Sequence, residues 1–129
     1  VNTYTKIPFN KSVLSANSRL TLSSNSIRIG AGIQHIKVSG QVLVSPGATN
    51  GLRHIRINKV SGSATTSIAW GTLYFTSSHH LAHAVTPIIV SVKEGDLLQM
   101  VFYTGNAEDS ISSGSAANGY QTYLTVEEL

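Results

Sequence analysis

Apolar and polar residues alternate along most of this chain. The alternation is clearest over residues 33–44, where Lys37, Ser39 and Gln41 are separated by apolar residues or glycine. Because successive side chains of a strand point to opposite faces, this pattern predicts a strand with one face in a core. Helical periodicity is nearly absent. The chain is therefore predicted to be all-β.

Turn-forming residues divide the alternating segments into short strands. Clusters of Gly, Pro, Ser, Asn and Asp at 46–51, 61–63 and 93–96 are typical of turns and loops. The strands are predicted at 4–9, 19–22, 26–29, 33–44, 52–60, 68–75, 84–92, 97–103 and 120–128. Strands at this spacing predict a single jelly-roll sandwich of about eight to ten antiparallel strands over residues 1–129.

The composition excludes several classes of partner. Only 12% of the residues are charged, the net charge is +3, and there is no cysteine, so neither disulfides nor thiolate metal sites are available. The positive charges are scattered singly, unlike the basic stripe of a nucleic-acid-binding protein, and no apolar run is long enough for a membrane span. We expect no nucleic acid, no membrane insertion and no metal. The low charge also suggests that an oligomer covers part of the surface.

Catalysis is not expected. The sequence has no Gly-x-Ser-x-Gly elbow and no glycine loop that would cradle phosphate. The acidic pairs Glu108-Asp109 and Glu127-Glu128 are adjacent, which on a strand points their side chains to opposite faces. We therefore predict no enzyme, no catalytic residue and no cofactor.

Several segments, in order, resemble the complement and tumour-necrosis-factor-like jelly rolls. They are Gly32-Ile33-Gln34-His35-Ile36 opening a long strand, Ile57-Asn58-Lys59, the run from Val90 to Leu98 with its Gly95-Asp96, and the closing run from Tyr120 to Val126. Together they cover nearly the whole chain from about residue 30. Within that superfamily, the Ser/Thr/Asn-rich composition without cysteine resembles the trimeric receptor-binding head of siphophages that infect Gram-positive bacteria.

This resemblance implies a function and a setting. It implies a homotrimer at the phage tail tip or baseplate of the virion, where the head binds a host cell-wall saccharide. It also implies the C-terminal part of a longer chain, joined to other tail or baseplate proteins through a part that precedes Val1. A trimeric structural or signalling domain that binds a protein is the alternative. A monomeric carbohydrate-binding module is a third interpretation.

The order of the strands predicts where a binding site would lie. If successive strands alternate in direction, segments 45–51, 76–83 and 104–119 meet at one end, and the turns at 61–65 and 93–96 lie at the other with both termini. Saccharide recognition needs an aromatic face for sugar C–H groups and polar groups for hydroxyls or phosphate. The candidate saccharide-binding residues are Trp70, His79, His80, His83, Asp109, Arg53 and Arg56.

Each candidate also has an ordinary interpretation. A single Trp in a strand is more often packed in a core or a subunit interface. The His-His-x-x-His segment lacks the Glu of a catalytic zinc helix, which favours surface histidines over a metal site. Asp109 fits a solvated loop, Arg56 could face a neighbouring subunit, and Asp96 is expected to bond its own turn.

The strand at 97–103 is predicted to be apolar on both faces, so its second face must be buried against another surface. The resemblance implies that a neighbouring protomer supplies it. The candidate trimer contacts are Val101, Tyr103 and Tyr123.

Overall fold

A computed structural model of the chain describes residues 4–7, 19–45, 51–75, 81–104, 110–112, 114–115 and 120–129. Its strands are β1 Tyr4–Lys6, β2 Leu20–Ser23, β3 Ser26–Ile29, β4 His35–Ser45, β5 Gly51–Ser61, β6 Ala64–Phe75, β7 Leu81–Ser91, β8 Leu97–Thr104, β9 Ser110–Ser112, β10 Gly114–Ser115, β11 Tyr120–Gln121 and β12 Tyr123–Glu128. Within these ranges no helix could cross a membrane. The all-β prediction is confirmed.

The strands form two antiparallel sheets packed face to face. The large sheet has the order β2-β3-β8-β5-β6, with β1 also paired to β8. The small sheet has the order β12-β4-β7, with β9 also paired to β4, and β10 and β11 form a separate ribbon. Several neighbours, such as β3 and β8 or β4 and β12, come from distant parts of the chain, as in a jelly roll. The predicted fold class is confirmed.

The core lies between the sheets and follows the alternation seen in the sequence. On β4, Ile36, Val38 and Val42 are 0% exposed, and they face a layer of large apolar side chains from β5 and β8. Gly40 occupies the same row. A Cβ there would lie 2.7 Å from the Met100 sulfur, so a larger residue would require the Met100 side chain to move.

Two turns join at one end of the sandwich through Asp96. This side chain is only 2% exposed. The Lys93 amide donates to its Oδ2 at 3.1 Å, and the Ser61 hydroxyl, at the end of β5, donates to its Oδ1 at 2.8 Å. The predicted turn role of Asp96 is confirmed, and the contact with Ser61 adds a link between the β5–β6 and β7–β8 turns.

The strand boundaries differ from the predicted ones where pairing extends an element beyond its apolar pattern. β6 begins at Ala64, because it pairs with β5 directly after the turn at Gly62. β7 begins at Leu81, where it still pairs with β4. Residues 104–119 were predicted to be a loop, yet β9 and β10 form there, because backbone pairing needs no alternating side chains. Pro87 lies on the edge strand β7, at a register shift where β7 has one residue more than β4, as predicted.

The two ends of the sandwich are defined by the strand ends. Ser45, Gly51, Phe75, Leu81, Thr104 and Ser110 lie at one end, here called the loop end, as predicted. Leu129 lies at the opposite, turn end, where its amide donates to the His35 carbonyl at 3.2 Å. Tyr4, however, pairs with Tyr103 near the loop end. The prediction that both termini share the turn end is therefore wrong for the first described strand, because β1 runs antiparallel to β8.

Candidate functional site

The outer face of the large sheet, turned away from the core, brings together several of the predicted site residues. Ile55 and Ile57 of β5 are 0% exposed in the core, so the alternate residues His54 and Arg56 lie on the outer face. Cross-strand register places Arg56 beside Trp70 of β6. The described part of the site is therefore a sheet surface.

Trp70 and Arg56 form the centre of this surface. The Arg56 guanidinium carbon lies 5.2 Å from the centroid of the indole ring, a cation–π contact. Trp70 is nevertheless 63% exposed. The interpretation of Trp70 as a core residue is therefore wrong, and most of its indole surface is accessible in this chain.

A β-bulge decides which way Trp70 points. From the turn, β5 and β6 pair regularly up to Asn58 and Ser67, and the register then shifts so that Ile57 pairs with Ala69 and Arg56 with Trp70. A shift of one residue exchanges the two faces of a strand. Without it, Trp70 would pair with Ile55 and point into the core.

A second row of side chains adjoins the first, two residues farther along the strands. Thr72 Oγ1 and His54 Nδ1 share a hydrogen bond of 2.9 Å. The His54 ring also contacts the Tyr103 ring, with 5.4 Å between centroids and a 50° tilt. The residues Trp70, Arg56, His54, Thr72 and Tyr103 are here called the aromatic–cation patch.

Thr72 was not among the predicted site residues. His54 lies two residues from Arg56 on β5, and the alternation of that strand predicted both side chains on its outward face. Thr72 could be assigned to this surface only from the β5–β6 register, which depends on the bulge.

Arg53 lies apart from this patch. It is 0% exposed and shares the core face of β5 with Ile55. The prediction that Arg53 contacts a saccharide at the surface is therefore not met, because Arg53 and Arg56 are three positions apart on β5 and their side chains point to opposite faces.

The histidine segment falls largely outside the described residues. His79, His80 and Asp109 all lie outside them. His83 was predicted in a loop, but its backbone belongs to β7 of the small sheet, opposite Val42. Among the described residues no group of three or more His, Asp or Glu side chains is placed to hold a metal ion.

The three predicted trimer contacts do not form one surface. Val101 and Tyr103 lie on the outer face of the large sheet, whereas Tyr123 lies on the outer face of the small sheet. Val101 is only 5% exposed in the single chain, and its register neighbours on either side are Lys6 and Arg56. Long cationic side chains cover apolar neighbours with their aliphatic stems. Val101 therefore needs no partner subunit to bury it, contrary to the argument from sequence.

The outer face of the small sheet has a different character. Tyr123 of β12 is 36% exposed and Ile89 of β7 is 61% exposed. Between them β4 contributes Lys37, which pairs in register with both Glu127 and Ile89. This face combines exposed apolar side chains with charges of opposite sign on neighbouring strands.

Comparisons with known proteins show the fold alone. No protein-family model and no curated protein sequence matches the chain. The solved structures similar to it include murine APRIL at pH 5.0, with a TM-score of 0.69 and 14% identity over 91% of this chain and 82% of that one. Murine APRIL at pH 8.0 gives 0.69 and 13% identity over 91% and 79% of the two chains, and at pH 8.5 it gives 0.67 and 12% over 91% and 80%. The chain thus has a jelly-roll fold similar to that of murine APRIL.

Proposed function

We propose that this domain is a non-catalytic host-recognition head that binds a cell-wall saccharide through the aromatic–cation patch. The observation that carries the proposal is Trp70, an indole that is 63% exposed yet held on a strand with Arg56 over its ring. An exposed aromatic side chain of this size on a regular strand is costly to keep in water and is typical of a binding surface.

The patch suits a sugar ring in three respects. The exposed indole offers an apolar surface to the C–H groups of a pyranose. Arg56 offers several donors beside it, and the hydrogen-bonded pair of His54 and Thr72 lies in the next row for hydroxyl groups. All of these side chains stand on paired strands, so little conformational entropy is lost when a ligand binds.

The setting we propose comes from the sequence resemblance. The domain would be the head of a siphophage tail-tip or baseplate adhesin, located in the virion and acting on a Gram-positive host. It would be a homotrimer whose subunits meet through the outer face of the small sheet, around Tyr123 and Ile89. In that arrangement the aromatic–cation patch, on the opposite sheet, stays accessible in every subunit.

Binding to cells tests this proposal. The fluorescently labelled domain should decorate cells in a panel of Gram-positive strains, and the purified wall polysaccharide of a decorated strain should compete it off. Trp70→Ala should abolish decoration, whereas Leu22→Ala, a loss of another exposed apolar side chain on β2, away from the patch and the proposed interface, should leave it unchanged. Absence of decoration across the panel, or equal effects of the two variants, would count against saccharide recognition by this patch.

The second candidate function is a trimeric structural or signalling domain with a protein partner. It is favoured by the exposed Ile89 and Tyr123, since apolar side chains at this exposure suit a protein interface. In that case the small sheet or a lateral surface carries the activity, and Trp70→Ala leaves it intact. The mass measured by light scattering distinguishes these two trimeric candidates from a monomeric carbohydrate-binding module, because a stable monomer would exclude both trimeric functions.

A further inference from the structure

The two faces of the Trp70 indole have different surroundings. One face lies against the Arg56 guanidinium, whose carbon is 5.2 Å from the ring centroid, and the Arg56 Nε is buried in this arrangement. The indole is nevertheless 63% exposed, and an aromatic ring has only two faces, so the opposite face is the one open to a ligand. A sugar ring that stacks on Trp70 therefore lies with the indole between itself and a cation.

Strand pairing holds the guanidinium in this position. Arg56 and Trp70 are register partners on β5 and β6, and both side chains stand on the outer face of the large sheet. Val101 of β8, which is only 5% exposed, borders Arg56 on its other side. The charge is permanent, because a guanidinium is not deprotonated in proteins. The indole thus has a cation behind it whichever ligand approaches its open face.

A cation behind the ring changes which ligands the open face attracts. The face of an aromatic ring is negative and attracts cations, which is the basis of cation–π contacts. The guanidinium already uses this attraction, and its charge repels a second cation on the far side of the ring. A ligand atom in contact with the open face lies about 4 Å above it, so the two charges would be roughly 9 Å apart. Coulomb repulsion at that separation weakens binding by between about twofold in water and about twentyfold at a protein surface.

We propose that Arg56 makes the open face of Trp70 selective for uncharged sugars, and that the site rejects sugars with a free amine. The inference rests on the proposed saccharide-binding function and specifies its ligand class. Arg56 is a specificity-determining residue that acts through the indole, since it disfavours a competing ligand by repulsion. An acetamido or hydroxyl substituent on the sugar is neutral and does not meet this repulsion.

Calorimetric titration with three trisaccharides tests the inference. Tri-N-acetylchitotriose, its de-N-acetylated form and cellotriose share a β-1,4-linked glucopyranose frame and differ only at C2, which carries an acetamide, an amine or a hydroxyl. The titrations are made at mildly acidic pH, where the amines are protonated. The variants are Arg56→Gln, which removes the charge behind the ring, and Arg56→Lys, which keeps it. Lys37→Gln on the small sheet is a control that changes the net charge equally, and circular dichroism confirms that each variant is folded.

We expect both neutral trisaccharides to bind about fivefold more tightly than the amine form, and this ratio should fall as salt rises. Arg56→Gln should reduce the ratio to less than about twofold, whereas Arg56→Lys and Lys37→Gln should keep it. The ratio compares ligands within one variant, so a general loss of affinity in Arg56→Gln, such as a displaced indole would cause, does not alter it.

Other outcomes overturn the inference in distinguishable ways. Equal affinity of the unsubstituted domain for the amine form and the neutral forms removes the selectivity and leaves the saccharide-binding function standing. A ratio that survives in Arg56→Gln assigns the selectivity to another group, and a ratio lost equally in Lys37→Gln assigns it to the net charge. Binding of none of the three trisaccharides removes the inference, while the decoration of cells by the domain decides the saccharide-binding function separately.

Discussion

The two outer faces of the sandwich are built from the same pleated geometry but carry different chemistry. On the large sheet, Arg56 lies over the exposed ring of Trp70, and Lys6 and Arg28 lie on the same face. On the small sheet, Lys37 pairs in register with Glu127, and the exposed side chains are the apolar Ile89 and Tyr123.

The difference indicates which kind of partner each face suits. A face that carries charges of both signs can lie against a neighbouring subunit of a trimer without net repulsion, and covering its exposed apolar side chains is favourable. A face with cations and an aromatic ring would repel a copy of itself but attracts an anionic or ring-shaped ligand. The first is the face we propose for the trimer, and the second for recognition.

The largest expected effect comes from a substitution that disrupts only the outer face of the small sheet. Tyr123→Glu should dissociate the trimer completely, because an uncompensated charge in an apolar interface costs more than the interface gains. Size-exclusion chromatography with light scattering would show a mass reduced to that of the monomer, and each monomer should still bind saccharide. Trp70→Glu, the equivalent change on the large sheet, should leave the trimer intact. If both Tyr123→Glu and Ile89→Glu remain trimeric, the interface lies elsewhere.

A core substitution should affect both faces together. Gly40→Val places branched carbon atoms against the Met100 sulfur, which a Cβ alone would already approach to 2.7 Å. We expect the free energy of unfolding to fall by about 3 kcal/mol, measured by chemical denaturation of the monomeric Tyr123→Glu background. The affinity per folded molecule should not change. A variant of unchanged stability would show that the sheets move apart at β4 more easily than the packing suggests.

The third effect concerns the large-sheet face alone. Trp70→Ala should weaken saccharide binding by about 2 kcal/mol, roughly 30-fold, because the indole supplies the apolar contact. Since the side chain is 63% exposed, the free energy of unfolding should change by less than about 0.5 kcal/mol. A large loss of stability with unchanged affinity would instead make Trp70 a structural residue.

The smallest expected effect comes from removing one of two hydrogen bonds on the outer face of the large sheet. Thr72→Val removes the hydroxyl that bonds His54 and should weaken binding by about 1 kcal/mol, roughly fivefold, by releasing the imidazole. Ser67→Ala removes a similar bond, in which the Ser67 hydroxyl donates to Asn58 Oδ1 at 2.9 Å. Ser67 lies on the turn side of the bulge, away from the patch, so its loss should not change the affinity measured by calorimetry.

The sequence determined the strands and part of the site. Alternation and turn residues predicted most of the strands to within a few residues, because a two-residue period determines which side chains face the core once one face is apolar. The same rule, applied to β5, would have put Arg53 in the core beside Ile55 and left Arg56 outside. The Gly95-Asp96 turn was likewise readable, since a buried carboxylate after glycine bonds its own backbone.

Only the tertiary structure decided which residues meet. Strand order set Arg56 between Val101 and Trp70, although these residues are far apart in the chain. The bulge opposite Ile57 and Asn58 turned Trp70 from the core to the surface, because one extra residue in a strand reverses the face on which every later side chain lies. No local sequence pattern marks this bulge. The alternation thus fixed an all-β sandwich, while register, a property of paired strands, placed the indole where a ligand can reach it.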